Sequence, residues 1–184
     1  MQTQHKQQDE PQVNPKNAFG MAIPYVGAII ERIHQGRKEL LIQTRWKPHK
    51  DPIYSGTFEF PAGTLDKPYE HVYDALAREI FEECGLILKK IKSDSKTHVM
   101  QTDRDDAAFG FRPFCCTQQL KNGKPWIGFI FLCEVENTAP KQESDESKDV
   151  RWVSVDELRQ LFEESPERLF ALELPAWEYY FREN

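Results

Sequence analysis

Glu79, Glu82 and Glu83 crowd one turn of a segment whose apolar residues have helical spacing, and Arg78 is the only cation among them. At about 100° per residue, Glu79 and Glu83 stand one above the other and Glu82 sits beside them. Like charges at that spacing repel by roughly 0.2–0.5 kcal/mol per pair. Near a helix C-terminus each carboxylate also opposes the macrodipole, for about another 0.3–1 kcal/mol. A sequence chosen for stability alone would avoid this face. It reads either as a solvated acidic surface, with Arg78 bridging Glu82, or as a cation site. The preceding residues favour a cation. Phe60-Pro61-Ala62-Gly63 closes a short strand, TFEF, with a tight loop, so a loop carbonyl and three carboxylates offer the hard oxygen ligands Mg²⁺ prefers. Divalent metals held by carboxylates suit phosphoanhydride hydrolysis, because they offset phosphate charge and lower the pKa of an attacking water.

The helix that must carry these groups runs from about Tyr69 to Cys84. Val72, Leu76, Ile80 and Cys84 recur every four residues with Ala77 and Phe81 alongside, and Gly85 stands where helices usually stop. The whole stretch, GTLDKPYEHVYDALAREIFEECGL from Gly63 to Leu86, resembles the Nudix box, G-x5-E-x7-R-E-U-x-E-E-x-G-U with U aliphatic. From Glu70 onward every specified position matches: seven residues, then Arg78, Glu79, Ile80, Phe81, Glu82, Glu83, Cys84, Gly85 and Leu86. Six residues rather than five separate Gly63 from Glu70. The extra residue falls around Asp66-Lys67-Pro68, which leaves the helical register untouched and makes Asp66 a stand-in candidate for Glu70.

The resemblance implies an α/β fold, a Nudix-type α/β/α sandwich with a mixed β-sheet over about residues 20–165. It implies water attack on one phosphorus of a nucleoside diphosphate linked to another moiety, with Mg²⁺ as cofactor and Mn²⁺ as a substitute. Glu79 and Glu83 would be the primary metal ligands, Glu82 would share that work, and the Ala62 or Gly63 carbonyl would complete the sphere. Arg78 would orient the carboxylates, and Glu70 would buttress the helix from the loop. The general base in several family members is a Glu in the loop before the last strand's tryptophan. Here that loop holds Glu143 and Glu146 ahead of Trp152, and Glu146 is the candidate. Glu82 and Glu83 are the alternatives inside the box. Substrate contacts are expected from Arg45 and Trp46, in Arg45-Trp46-Lys47 at the end of a strand, and from Arg112 in FGFRPF. Gln101-Thr102 replaces the proline of ADP-ribose pyrophosphatases past the box, and the tyrosine of dinucleoside polyphosphate hydrolases is missing there too. His49, His71 and His98 lack ligand spacing. The rival readings are a Nudix-fold module that senses a nucleotide without cleaving it, and an isoprenoid isomerase. The intact box glutamates argue against the first, and the missing contexts for a catalytic Cys and Glu argue against the second.

The flanking elements follow from periodicity and turn chemistry. Residues 21–33 read as a buried strand and Glu39–Arg45 as a second, joined by a hairpin at His34–Arg37. Ile87–Ile91 continues as a strand after the box. Lys92–Ala108 is a polar insert without clear periodicity. Phe109–Leu120 and Trp126–Asn137 are expected as two strands around Asn122-Gly123, a good hairpin turn. The continuously apolar WIGFIFLCEVE should be central and covered on both faces. A strand at Val150–Val153 leads into a helix capped by Ser154, with Glu157 at capping-box spacing. Ser165-Pro166 is expected to start a last helix, interrupted at Pro175.

With 184 residues, one domain over 18–184 after an N-terminal extension at 1–17 is the expectation. The extension, MQTQHKQQDEPQ at its start, has no apolar core and does not read as a secretory signal. No apolar run is long enough to span a membrane. Cys84, Cys115, Cys116 and Cys133 lack metal spacing and read as reduced packing residues of a cytoplasmic protein. The net charge of −6, from 24 basic and 30 acidic residues, argues against long nucleic acid as a partner. The expected partner is a small nucleoside diphosphate derivative, and a homodimer stays open.

Overall fold

Two apolar runs and a two-residue turn start the sheet. In the computed structural model, which describes residues 21–92, 99–101, 104, 106–136 and 139–184, these runs are β1 (Ile23–His34) and β2 (Arg37–Arg45). The expected 1–17 extension lies outside the described residues, as does part of the 92–108 insert. Gln35 and Gly36, at φ 50° and 77°, give the left-handed turn that matches strand twist. There follow β3 (Phe58–Glu59), β4 (Ala62–Thr64), α1 (Val72–Cys84), β5 (Leu88–Ile91), β6 (Val99–Gln101) and β7 (Ala107–Phe109). The chain then forms β8 (Cys115–Gln118), β9 (Trp126–Val135), β10 (Ser147–Ser154), α2 (Val155–Glu164) and α3 (Leu174–Glu183).

The main sheet has the order β10-β2-β1-β9-β5, with β3 on β2, β4 on β1 and β8 on β9. It is mixed: β1 and β9 run parallel, from Ile23 opposite Trp126 to Ile30 opposite Cys133, and the other pairs are antiparallel. Period-two alternation sorts the strands between two cores. Tyr25 and Ile29 of β1, Leu40 and Ile42 of β2, and Ile130 of β9 pack with Leu158, Trp177, Tyr180 and Phe181 of α2 and α3. Val26, Ala28, Ile30, Leu41, Phe131 and Cys133 pack on the other face with Val72, Leu76, Ile80 and Cys84 of α1. The result is the expected α/β/α sandwich, with β9 central and covered on both sides.

One irregularity of the sheet makes room for the site. β1 and β2 pair only from Glu31 opposite Leu40 to His34 opposite Arg37. Beyond that they diverge, β4 takes the free edge of β1 and β3 takes that of β2. The Phe60-Pro61 corner crosses the gap and is anchored there, since Ala28 N–H donates to the Pro61 carbonyl at 2.9 Å.

Several boundaries differ from the sequence expectation. Phe109–Leu120 is not one strand: β7 ends at Phe109, residues 110–114 are irregular, and β8 starts at Cys115. Gly110 and Pro113 account for the break, because proline has no N–H for a ladder. The helix expected from Ser165 is two 3₁₀ turns, Pro166–Arg168 and Ala171–Glu173, ahead of α3. Pro175 does not interrupt α3 but lies in its first turn, where a missing N–H costs nothing. α1 begins at Val72 rather than Tyr69, with His71 Nδ1 accepting from Tyr73 N–H at 3.3 Å. Its C-terminus is Gly85, at φ 66°, as expected. In the insert, β6 and β7 pair antiparallel, and Phe109 packs on His71 with ring centres 3.8 Å apart and the rings tilted by 45°. Cys115 is buried and Cys116 exposed, as opposite strand faces require, and all four cysteines are free. Among the described residues, no helix is long and apolar enough to cross a membrane.

Candidate active site

α1 turns its acidic side toward the β3–β4 corner. Glu83, on the inner edge, is buried, and its Oε2 accepts both Gln43 Nε2–H at 2.8 Å and Ala62 N–H at 3.1 Å. Gln43 lies on the α1 face of β2, next to buried Glu59 of β3, and donates to it as well at 3.3 Å. Burial, and then the neighbouring Glu59 charge, push the Glu83 carboxyl up to about 8. Burial likewise raises Glu59 despite its ion pair with Arg45, and raises Glu79 above the ordinary carboxylate value despite Arg78. Glu79 lies under Gly63: a Cβ there would fall 1.8 Å from the Glu79 carboxyl carbon. Only glycine lets the corner backbone come this close.

Arg78 organises the outer edge. Its Nε and Nη2 donate to the two oxygens of Glu70 at 2.9 and 3.0 Å, a bidentate pair. Nη1 donates to Glu79 at 2.5 Å and to Glu82 at 3.3 Å. The Arg78 hydrogen bonds, foremost among several causes, hold the Glu70 carboxyl below the ordinary range. Asp66, the stand-in candidate, reaches Arg78 only at 3.8 Å, so Glu70 keeps the buttressing position despite the extra loop residue. Lys141 Nζ donates to the Glu82 carbonyl, supplying the helix C-terminus with the positive charge its own last turn lacks.

Glu83 lines an adjoining hollow, while Ala62, Gly63, Arg78, Glu79 and Glu82 line a cleft of about 410 Å³. Its ionic lining is five carboxylates, Glu59, Asp66, Glu79, Glu82 and Glu146, against three cations, Arg45, Lys47 and Arg78. Tyr25, Trp126 and Phe170 give it an aromatic wall. Glu146 is in the cleft, as its candidacy required, but two ammonium groups clasp it: Lys47 Nζ at 2.5 Å and Lys50 Nζ at 2.9 Å. Burial alone would raise its carboxyl, yet these hydrogen bonds hold it at about 2. Glu143 lies outside that cleft but in the adjoining acidic hollow, which it shares with Glu79, Glu82, Glu83, Lys50 and Glu146.

The expected substrate contacts divide. Arg45 lines the cleft, but Asp51 (2.7 Å) and Glu59 (3.0 Å) both engage it. Trp46 is outside the lining, its ring beneath Lys148 Nζ at 3.9 Å, and Arg112 is exposed on the irregular segment before β8, also outside. Gln43, Glu59, Lys50, Tyr25, Trp126 and Phe170 escaped the sequence reading. Gln43 and Glu59 did carry a signal, a polar residue on the buried side of an apolar strand (ELLIQTR, TFEF). The cleft aromatics carried none, because strand aromatics ordinarily pack in a core.

The donor set fits a divalent cation. Glu79, Glu82 and Glu83 are the carboxylates that could supply oxygen ligands near the Gly63 backbone, and burial raises the Glu79 and Glu83 carboxyls. Among the described residues, no three His, Cys, Asp or Glu side chains are already gathered into a cage; Glu79 and Glu82 point at Arg78.

A NUDIX domain family model matches residues 22–172. The structure is similar to the NUDIX domain of Shewanella oneidensis NrtR complexed with ADP ribose, at 14% identity and a TM-score of 0.60 over 94% of each chain. It is similar to the MutT protein from Methanosarcina mazei Go1, at 22% identity and a TM-score of 0.60, over 89% of this chain and 95% of that one. A C. elegans Ap4A hydrolase binary complex matches at 17% identity and a TM-score of 0.54, over 88% and 96%. At such identities the likeness is one of fold. Among curated protein sequences none matches.

Proposed function

The chain belongs to the Nudix family, and we propose that it is a metal-dependent hydrolase cleaving the phosphoanhydride of a nucleoside diphosphate linked to another moiety. The carrying observation is the meeting of α1 with the β3–β4 corner: Glu79 against Gly63, Glu83 bound to the Ala62 amide, and Glu82 at the cleft surface. Such a cleft, with more carboxylates than cations, repels a bare diphosphate. A divalent metal brought with the substrate offsets that excess.

Glu79 and Glu83 would hold the metal and Glu82 would share it. Bound there, Mg²⁺, or Mn²⁺ in its place, supplies phosphate charge neutralisation and a more acidic attacking water. Arg78 orients Glu79 and Glu82 while Glu70 fixes the guanidinium, so the carboxylates do not reorganise during the reaction. Gln43 and the Ala62 amide fix the Glu83 oxygen they share. The water oxygen bonds to one phosphorus as the bridging P–O bond breaks, and the departing phosphate carries away the bond's electron pair. A carboxylate takes the water's proton. Glu82, at 56% side-chain exposure, is the box acid most open to that role. Glu146 is a poor proton acceptor while two lysines clasp it. Trp126, set edge-to-face with Tyr25, offers an aromatic face on which a nucleobase could stack.

The test is product release from ADP-ribose, diadenosine polyphosphates, nucleotide sugars, NADH, and canonical and oxidised dNTPs, with Mg²⁺, Mn²⁺ or excess EDTA. Turnover of one class, abolished by EDTA and restored by metal, is expected. Tight binding without turnover on any member would replace the hydrolase with a nucleotide-binding module.

A further inference from the structure

Positive charge in the cleft is unevenly committed. Arg45 faces two carboxylates, and Arg78 faces Glu70, Glu79 and Glu82. Lys47 and Lys50 instead converge on one carboxylate, Glu146, one on each oxygen. Within ion-pair distance these two cations share one anion, Asp145 acting on Lys50 only from farther off, so positive charge is concentrated at this point of an otherwise acidic cleft. The pair also lies at a junction. Lys47 lines the inner cleft, and both lysines line its outward continuation of about 360 Å³, which adds Tyr54, Gln119 and Lys124. Lys47 shares the inner lining with Glu79, Glu82 and Glu146, and acts electrostatically on Glu83 and Glu59 as well.

We propose that Lys47 and Lys50 clamp the substrate phosphate that the box carboxylates do not serve, and that Glu146 fills this clamp as an internal counter-anion which the phosphate displaces. The proposal rests on the hydrolase reading for its substrate class. A carboxylate offering one oxygen to each ammonium has the charge and shape of two non-bridging phosphate oxygens. The two halves of the clasp differ. Lys50 is 77% and Glu146 39% exposed, so that pair is weak, whereas Lys47, at 16%, holds more firmly until a stronger anion replaces the carboxylate. The Glu146 main chain stays in place when its side chain leaves, since its carbonyl accepts Trp46 N–H at 2.8 Å and its N–H donates to Ser144 Oγ at 3.2 Å. Glu146 is thereby a specificity element, a competitor that only a stronger anion removes, rather than a base.

The experiment measures ADP and inorganic pyrophosphate binding by calorimetry, with Mg²⁺, to the full chain and to Lys47→Met, Lys50→Met and Glu146→Gln, at low and high salt. Lys47→Met should weaken Kd by roughly tenfold or more and Lys50→Met by less, each with a flatter salt dependence. Glu146→Gln should tighten Kd severalfold. Lys50 is exposed, so its variant keeps the test open should Lys47→Met fail to fold. Unchanged affinities in the lysine variants, or no tightening in Glu146→Gln, would overturn the clamp. So would a collapse of kcat in Glu146→Gln at unaltered Kd, the mark of a general base. Failure of the hydrolase reading looks different: no metal-dependent turnover by the unaltered chain, whatever the binding pattern.

Discussion

Replacing Glu83 with Gln should make the metal-free protein more stable while removing its activity. Both donors to Glu83, Gln43 Nε2 and Ala62 N, use the same oxygen, Oε2, so a glutamine carbonyl can keep both bonds. What goes is the buried group's ability to ionise. The Glu83 carboxyl sits at about 8 in the fold against 4.5 when exposed, so between these values the native state binds more protons than the unfolded chain. Stability from this group is therefore fully present below pH 4.5 and is lost as pH rises through about 8, at about 1.4 kcal/mol per pH unit. By pH 7 the loss is on the order of a few kcal/mol if Glu83 bears it alone. Glu59 shares the same buried space, so about 1–3 kcal/mol is the expected advantage of Glu83→Gln, or roughly 3–10 °C in Tm. The assay is thermal unfolding in EDTA at pH 5 and pH 8, repeated with saturating Mg²⁺. The gap should be wide at pH 8 and close toward pH 5. Mg²⁺ at about 100 times its Kd should raise the wild type by about 2.7 kcal/mol and leave Glu83→Gln behind. Turnover should fall by more than about 100-fold. A variant less stable than wild type at pH 8 without metal, or one active near the wild-type rate with Mg²⁺ saturating, would refute the reasoning.

Other changes separate the parts of the site. Gly63→Ala puts a methyl group into the Glu79 carboxylate without demanding a positive φ; turnover should drop about 100-fold as Glu79 is displaced, with metal affinity falling in parallel and Tm little changed. Near-wild-type metal affinity would mean that Glu79 is no ligand. Tyr180→Phe removes a hydrogen bond to buried Glu31 and should cost about 1.5–3 kcal/mol in urea unfolding at pH 7. Burial raises the Glu31 carboxyl, but Lys92 and Tyr180 together bring it below its ordinary value. The stability they give is present above that ordinary value and lost as pH falls, so the Tyr180→Phe deficit should shrink below about pH 4. A deficit equally large there would detach it from the Glu31 charge.

Residues close in sequence were the legible ones. α1 announced itself through Val72, Leu76, Ile80 and Cys84, and its acidic face through electrostatic cost, because both arise within one helix. The Gln35-Gly36 and Asn122-Gly123 turns were equally readable, since each needs positive φ at adjacent residues. Pro175 was misread because proline means opposite things inside a helix and in its first turn, and only the start point distinguishes them. The Gln43–Glu59–Glu83 network joins three elements, and the Lys47–Glu146–Lys50 group joins two loops about 96 positions apart. No periodicity encodes such meetings. They depend on where β1 and β2 part, which is a property of the assembled sheet.

The parallel contact of β1 with β9 also governs when the protein can fold. Tyr25 meets Gly128 and Ile30 meets Cys133, so strands side by side at the sheet's centre are about a hundred positions apart along the chain. During synthesis the β1–β2 hairpin and α1 emerge first, with Val26, Ile30, Leu41 and Leu76 lacking Phe131 and Cys133 to close over them. Long-range pairing of this kind slows folding, and the waiting intermediate exposes an apolar strand edge. Nascent chains arrested before Trp126 should therefore be protease-sensitive and chaperone-bound, and protection should arrive abruptly once β9 clears the ribosome.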